Sequence, residues 1–220
     1  MTSTDYSEKT HSLGRAAYER LLEAIERGQL RPGDRISVSA LAEMLNMSRT
    51  PVREAVSWLE TDGLIVHEPY AGRVVGKLDL QMMNELYAMR LVLEVAAVGM
   101  AVKNASDAEI AVLLEMLEYE RSKLDQPFER ERHNRNFHEA IYRSAHNRYL
   151  MKMLNSLQPP MLLLGPVTYV DAERVESAYR EHVELVECIA RRDVEGAKAC
   201  ITRHLEAGQR IRTRQLLRRE

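Results

Sequence analysis

Along most of this chain apolar residues recur at the spacing of helices. The first such stretch runs from Ser12 to Gly28, where Leu13, Ala17, Leu21 and Ile25 return every four residues along one stripe. Gly28 stops it. The Pro-Gly-Asp cluster of LRPGDRIS then marks a turn in which Gly33 can take the positive φ that other residues resist. A second, short helix opens near Ser37 or Ser39, turns Leu41, Met44 and Leu45 inward, and ends at Asn46. In MSRTPVREAVSWLETDGL, Val52, Ala55, Val56 and Leu59 stand at i, i+3, i+4 and i+7, which predicts a helix with one buried face, stopped by Gly63. Its other face carries Arg49 and Arg53. Two β-branched runs follow, Leu64–Val66 and Arg73–Val75, on either side of a turn holding Pro69 and Gly72. Three helices and then a hairpin, within about 65 residues, is the order of a winged helix-turn-helix.

From Asp79 the pattern becomes uninterrupted helical periodicity without strand signals. The predicted organisation is a flexible N-terminus over residues 1–11, a winged helix-turn-helix over residues 12–77, and a helical domain over residues 79–217. Ser106-Asp-Ala-Glu109 is a capping box that opens a helix to Leu124. Pro127 can occupy the first turn of the next helix, residues 127–146. Asn147 precedes a helix ending near Gly165-Pro166, and Asp193 separates the last two, residues 171–191 and 194–217. The fold class is therefore mainly α, with an antiparallel bundle of about six helices as its second part.

A chain of 220 residues has room for two small cores. No apolar run approaches the roughly 18 residues that span a bilayer, and MTSTDYSEKTHS lacks the pattern of a signal peptide, so a cytoplasmic protein without membrane contact is expected. Cys188 and Cys200 have no CxxC spacing and read as ordinary semi-buried residues. The net charge of −2, with ten Lys and Arg against eleven Asp and Glu up to Lys77, excludes a protein that grips nucleic acid with its whole surface. DNA binding must rest on where the cations stand.

They stand at one helix start. A recognition helix places its first turns in the major groove, where short hydroxyl and guanidinium side chains serve best, and Ser48, Arg49, Thr50 and Arg53 cluster there with no acidic residue among them. Pro51 in the first turn removes no needed donor, and the free N–H groups favour a phosphate. In the hairpin, Gly72 permits close approach to the sugar-phosphate wall, while Arg73 can enter the minor groove or pair with a phosphate. The stretch SRTPVREAVSWLETDGLI, with LRPGDRIS before it and GRVV after it, resembles the GntR family of regulators over about residues 12–76. That resemblance implies that Ser48, Arg49, Thr50, Arg53 and the Gly72-Arg73 wing tip contact double-stranded DNA. It also implies a homodimer on a palindromic operator, since a two-fold site needs a two-fold protein. One family variant carries an arginine near Ser39, where this chain has serine.

His138, His182 and His204 lie in three different predicted helices, each facing the way its apolar neighbours face, and three inward imidazoles are costly without a partner. Asn134, one turn before His138, can point to the same spot. Three imidazoles and an oxygen donor would suit a divalent metal, zinc first, with nickel or manganese as alternatives. Taken singly, each histidine reads equally as a hydrogen-bonded core or surface residue. The segments RLVLEVAAVGMA, NRNFHEAIYRSAHN, REHVELVECIARRDVEGA and TRHL resemble the FCD effector domain of the FadR subfamily, over about residues 79–215. In metal-binding members of that group an aspartate precedes the first histidine by four residues; here that position is Asn134, a poorer ligand and one negative charge short. The resemblance also places Arg90 near a small carboxylate effector, which a guanidinium can hold bidentately. The competing reading of Arg90 is a surface pair with Glu94 at i, i+4. Tyr142, one turn beyond His138, can hydrogen-bond a ligand or simply pack.

The chain thus reads as a DNA-binding transcriptional regulator, a repressor whose operator binding a carboxylate effector modulates. Two other classes compete. A metal-dependent hydrolase would use the histidines with Glu139 or Glu181 as base, but no HExxH, nucleophile elbow or phosphate loop is present. A helical scaffold with a vestigial DNA-binding end would show no salt-sensitive binding to duplex DNA.

Overall fold

A computed structural model describes residues 3–123, 127–164 and 172–218. By its internal contacts the chain divides into two compact units, Met1–Leu78 with Gln158–Gly165, and Asp79–Leu157 with Pro166–Glu220.

The first unit is built on α1 (Ser3–Glu26), α2 (Val38–Leu45) and α3 (Arg49–Thr61), followed by the hairpin β1 (Ile65–Glu68) and β2 (Gly72–Val75). Helix α1 begins well before the expected Ser12, in line with a stretch that holds no glycine or proline before Gly14. Leu13, expected in the buried stripe, is 45% exposed, while Ala17, Leu21 and Ile25 are buried. Each four-residue step overshoots a helical turn by about 40°, so a strict i+4 series drifts off the buried face. Gly14 falls on that face instead, and a Cβ there would meet Glu54 Oε2 at 2.6 Å and the Trp58 ring at 3.1 Å. Met44, expected inward, is 44% exposed, and Ala42 takes the inward place beside Leu41 and Leu45. In so short a helix one narrow face is enough.

Local signals end these helices where the side chains require it. Asn46 adopts the left-handed conformation at φ 51° and returns its N–H to the last turn of α2. Gly63, at φ 74°, closes α3, with Leu64 N–H donating to the Leu59 carbonyl at 2.9 Å. The hairpin pairs Ile65 with Val75 and Glu68 with Gly72 in antiparallel register. The LRPGDRIS turn adds a third partner that its turn chemistry concealed: Gly33 N–H donates to the Val75 carbonyl and Ile36 N–H to that of Arg73, both at 2.8 Å, bridging Arg35 to Val74. Leu163 joins the core of this unit.

Among the described residues the second unit is built on α4 (Leu80–Asn104), α5 (Asp107–Lys123), α6 (Pro127–Ser144), α7 (Arg148–Leu162), which passes into the first unit from Gln158 onward, α8 (Ala172–Ala190) and α9 (Val194–Leu217). Caps read from the sequence set several starts. Glu109 Oε2 accepts from Ser106 N–H at 2.8 Å while Ser106 Oγ accepts from Glu109 N–H at 3.3 Å, and Asp79 and Asp193 cap α4 and α9. Helix α7 continues through Pro159 and Pro160. The expected ends at Leu124 and Gly165-Pro166, and the expected start at residue 171, lie outside the described residues. The core runs through Val98, Leu113, Phe137, Ile141, Leu185, Ile189 and Ile201, all at most 1% exposed. Cys188 and Cys200 are both buried and unbridged, and burial pushes the Cys200 thiol up to about 12, so neither is a ready nucleophile. Among the described residues, no helix is long and apolar enough to cross a membrane.

Candidate DNA interface and histidine centre

The buried stripe Val52, Ala55, Val56 and Leu59 fixes the rotation of α3 and leaves the opposite face outward. Ser48, Arg49, Thr50 and Arg53 are all exposed there, at the positive end of the helix dipole. The Ser48 side chain makes no capping hydrogen bond, so the first-turn N–H groups and the hydroxyl both face solvent. A shallow groove opens in front of them between Ser39, Asn46, Ser48 and Arg49. On the wing, Gly72 holds φ 78°, a conformation that favours glycine, and Arg73 is exposed. Two features here escaped sequence reading. Arg73 Nε donates to Glu60 Oε1 of α3 at 2.6 Å, tying wing to recognition helix. Tyr70, fully exposed with φ 65°, forms the tip of the hairpin turn. A lone aromatic in a turn gives no periodic signal, and Glu60 pairs with a residue 13 positions away.

In the second unit the three histidines converge. His138 on α6, His182 on α8 and His204 on α9 are buried, and one ring nitrogen from each lies within 4.8 Å of the others. The Nε2 atoms of His138 and His204 stand 3.3 Å apart, and His182 Nε2 has no hydrogen-bond partner among the described residues. Each Nδ1 meets a carboxylate: Glu94 Oε2 of α4 at 3.1 Å from His138, Glu120 Oε2 of α5 at 3.0 Å from His182, and Glu181 Oε2 of α8 at 2.8 Å from His204. The contacts of His182 and His204 are hydrogen bonds, whereas His138 Nδ1 and Glu94 Oε2 stand at ion-pair distance and neither has a hydrogen-bond partner among the described residues; with the proton on Nδ1 of each ring, the three Nε2 lone pairs would face one another. Burial pushes His138 down and His204 far down, so a proton is a poor bridge between them. Converging buried lone pairs are what a cation satisfies, and the donor set, three imidazoles, suits a borderline divalent metal. Asn134 lies one turn before His138, with Oδ1 buried and without a hydrogen-bond partner, and can supply a fourth, neutral donor.

The Arg90 side chain is largely buried and carries a permanent positive charge. Its guanidinium pairs with Glu94 at 2.8 Å, its side chain 12% exposed against 1% for Glu94. The i, i+4 pair foreseen for the surface therefore exists inside the bundle. Burial alone would lower Arg90 and raise Glu94; facing each other they move oppositely, Arg90 upward and Glu94 down to about 2. The Tyr142 hydroxyl is buried without a hydrogen-bond partner, its pKa raised by burial and by the Glu94 carboxylate. Arg174, absent from the sequence reading, donates to Glu181 at 2.8 Å and approaches His204 Nδ1 at 3.4 Å. Glu120 lies 62 residues from His182 and Arg174 lies 30 from His204, each on a different helix from the histidine it meets, which is why spacing did not expose them.

A recognition helix with an outward cationic start, braced by a β-wing, defines a DNA-binding transcriptional regulator of the winged helix-turn-helix class. The chain belongs to the GntR family: residues 13–75 match the bacterial regulatory proteins of the gntR family, and residues 85–207 match the FCD domain. It is 30% identical over 190 residues to the HTH-type transcriptional regulator YdhC of Bacillus subtilis (strain 168), covering 85% of each chain. It is 32% identical over 185 residues to the HTH-type transcriptional regulator McbR of Escherichia coli (strain K12), covering 79% of this chain and 80% of the relative. The solved structure of E. coli McbR/YncC superposes with a TM-score of 0.81 at 26% identity, over 92% of this chain and 98% of that one. The metal-free FCD domain of TM0439, at 21% identity and a TM-score of 0.53, shares the helical fold over 64% of this chain and 99% of its own length, which supports the fold alone. These relatives are regulators and not enzymes, so the hydrolase reading lapses.

Proposed function

We propose that this regulator is a repressor that binds a palindromic operator as a homodimer and answers to a small carboxylate held at a metal centre in its helical unit. Ser48, Arg49, Thr50 and Arg53 read the major groove, and Gly72 and Arg73 meet the backbone or minor groove beside it. His138, His182 and His204, with Asn134, would hold a divalent metal, zinc by preference, which would supply Lewis-acid attraction for a carboxylate; Arg90 adds its positive field and Tyr142 its hydroxyl. The observation that carries the reading of the helical unit is the convergence of three buried imidazoles, each with a carboxylate oxygen within 3.1 Å of its Nδ1. The homodimer is supported by α4, whose inner side buries Met83, Tyr87, Ala97 and Ala101 while Met82, Met89 and Val92 line an exposed apolar stripe on the other. Effector binding changes operator affinity only through unequal affinity for the operator-competent and operator-incompetent states.

The test selects duplex from a random pool, then measures its binding by fluorescence anisotropy at two salt concentrations, with metal analysis of the purified protein and a thermal-shift screen of small carboxylic acids. Binding should weaken as salt rises, and Arg49→Ala and Arg53→Ala should each lower affinity about 5- to 150-fold, the range of one lost base contact. A stabilising acid should release DNA. Undiminished binding by the double arginine variant overturns the interface; protein free of metal and indifferent to every acid overturns the centre.

A further inference from the structure

We propose that Glu94, Glu120 and Glu181 are the positioning residues of the histidine centre: Glu120 and Glu181 hold His182 and His204 by Nδ1, Glu94 stands at ion-pair distance from His138 Nδ1, so that Nε2 of each ring turns inward, and Glu120, which no arginine pairs with among the described residues, supplies the negative charge that Asn134 does not. The assignment rests on the metal reading above. Three different helices send these carboxylates, α4, α5 and α8, and each reaches a different ring within 3.1 Å. Packing alone does not call for this. Buried carboxylates are costly, and a core histidine is satisfied by a backbone carbonyl or a hydroxyl at lower cost. A carboxylate on Nδ1, by contrast, fixes the tautomer a metal needs and makes the opposite nitrogen a stronger donor.

The charges identify which carboxylate depends most on a metal. Glu94 has Arg90 at 2.8 Å and Glu181 has Arg174 at 2.8 Å, permanent cations both. Among the described residues, Glu120, 7% exposed, has only imidazoles within ion-pair distance, His182 at 3.0 Å and His133 at 4.0 Å. A divalent ion held by His182 would supply, through the ring, the positive charge that Glu120 faces. Removing the charge of Glu120 while keeping its shape should therefore weaken metal binding without displacing a ligand.

The experiment titrates Co²⁺ and Zn²⁺ into metal-stripped full-length protein, reading Co²⁺ absorption bands and calorimetric affinity, for the natural chain, Glu120→Gln, Glu181→Gln and His182→Ala. The natural chain should bind one ion per chain. Glu120→Gln should bind about 10- to 100-fold more weakly with the same band shape, as expected when an outer partner and not a ligand is altered. His182→Ala should change the bands themselves. Far-UV circular dichroism reports folding; should Glu120→Gln fail to fold, Glu181→Gln, at the 20% exposed edge of the site, carries the comparison. Equal affinity in the natural chain and the folded glutamine variants overturns the positioning role while leaving the metal site standing. No ion bound by the natural chain overturns both.

Discussion

Removing Glu94 should be among the most damaging single changes in the helical unit. In Glu94→Ala the Arg90 guanidinium, its side chain 12% exposed, loses the carboxylate 2.8 Å away, and a buried charge deprived of its partner costs about 3–5 kcal/mol. The carboxyl itself gives a second, order-of-magnitude route: a fall from its ordinary 4.5 to about 2 corresponds to about 3 kcal/mol of preferential stabilisation of the charged form. The two agree. Because the folded value is depressed, this stability is present above the unfolded value near 4.5 and disappears as pH falls toward 2. The assay is urea unfolding of chelator-treated protein followed by circular dichroism, at pH 7 and at steps down through pH 3. Glu94→Ala should lose about 3–5 kcal/mol at pH 7, and the gap from the natural chain should narrow in acid. Replacing both partners, Arg90→Met with Glu94→Leu, should recover most of the loss, since no charge is then left unpaired. A single variant within about 1 kcal/mol of the natural chain at pH 7, or a double variant as unstable as the single, would refute the reasoning.

Glu60→Gln should release Arg73 for the nucleic acid. The broken pair is partly exposed, so binding to duplex should tighten by less than about fivefold, with a steeper salt dependence in the same anisotropy assay. Tyr18, whose hydroxyl donates to Asp62, has a raised pKa caused by burial and then by that carboxylate. A raised folded value means stability that is complete below the ordinary pKa of 10 and declines as pH rises above it, so Tyr18→Phe should flatten the alkaline limb of a thermal-unfolding series between pH 8 and 11.

Much of the DNA-facing half was legible because its signals are local. An i, i+3, i+4, i+7 stripe fixes which way α3 rolls, and the residues between its apolar positions must then face outward; Arg49 and Arg53 do. Glycine and asparagine stops at Gly63 and Asn46, and the Ser106–Glu109 box, act within a few residues of themselves. The failures were also local in kind. Extrapolating a strict four-residue repeat carried the buried stripe out to Leu13, and an eight-residue helix was credited with a wider inner face than it has at Met44.

By itself, then, the order of residues decided the local stops and starts at Asn46, Gly63, Ser106 and Asp193, which way α3 rolls, and that three imidazoles point inward from separate helices. Only the tertiary structure decided what those imidazoles meet. His182 and Glu120 are 62 residues apart and His138 and His204 are 66 apart, and no periodicity along one helix records which neighbour a second helix will bring against it. The same holds for Arg90, whose pairing with Glu94 follows from helical spacing but whose burial, and hence the strength of that pair, depends on the helices packed around α4.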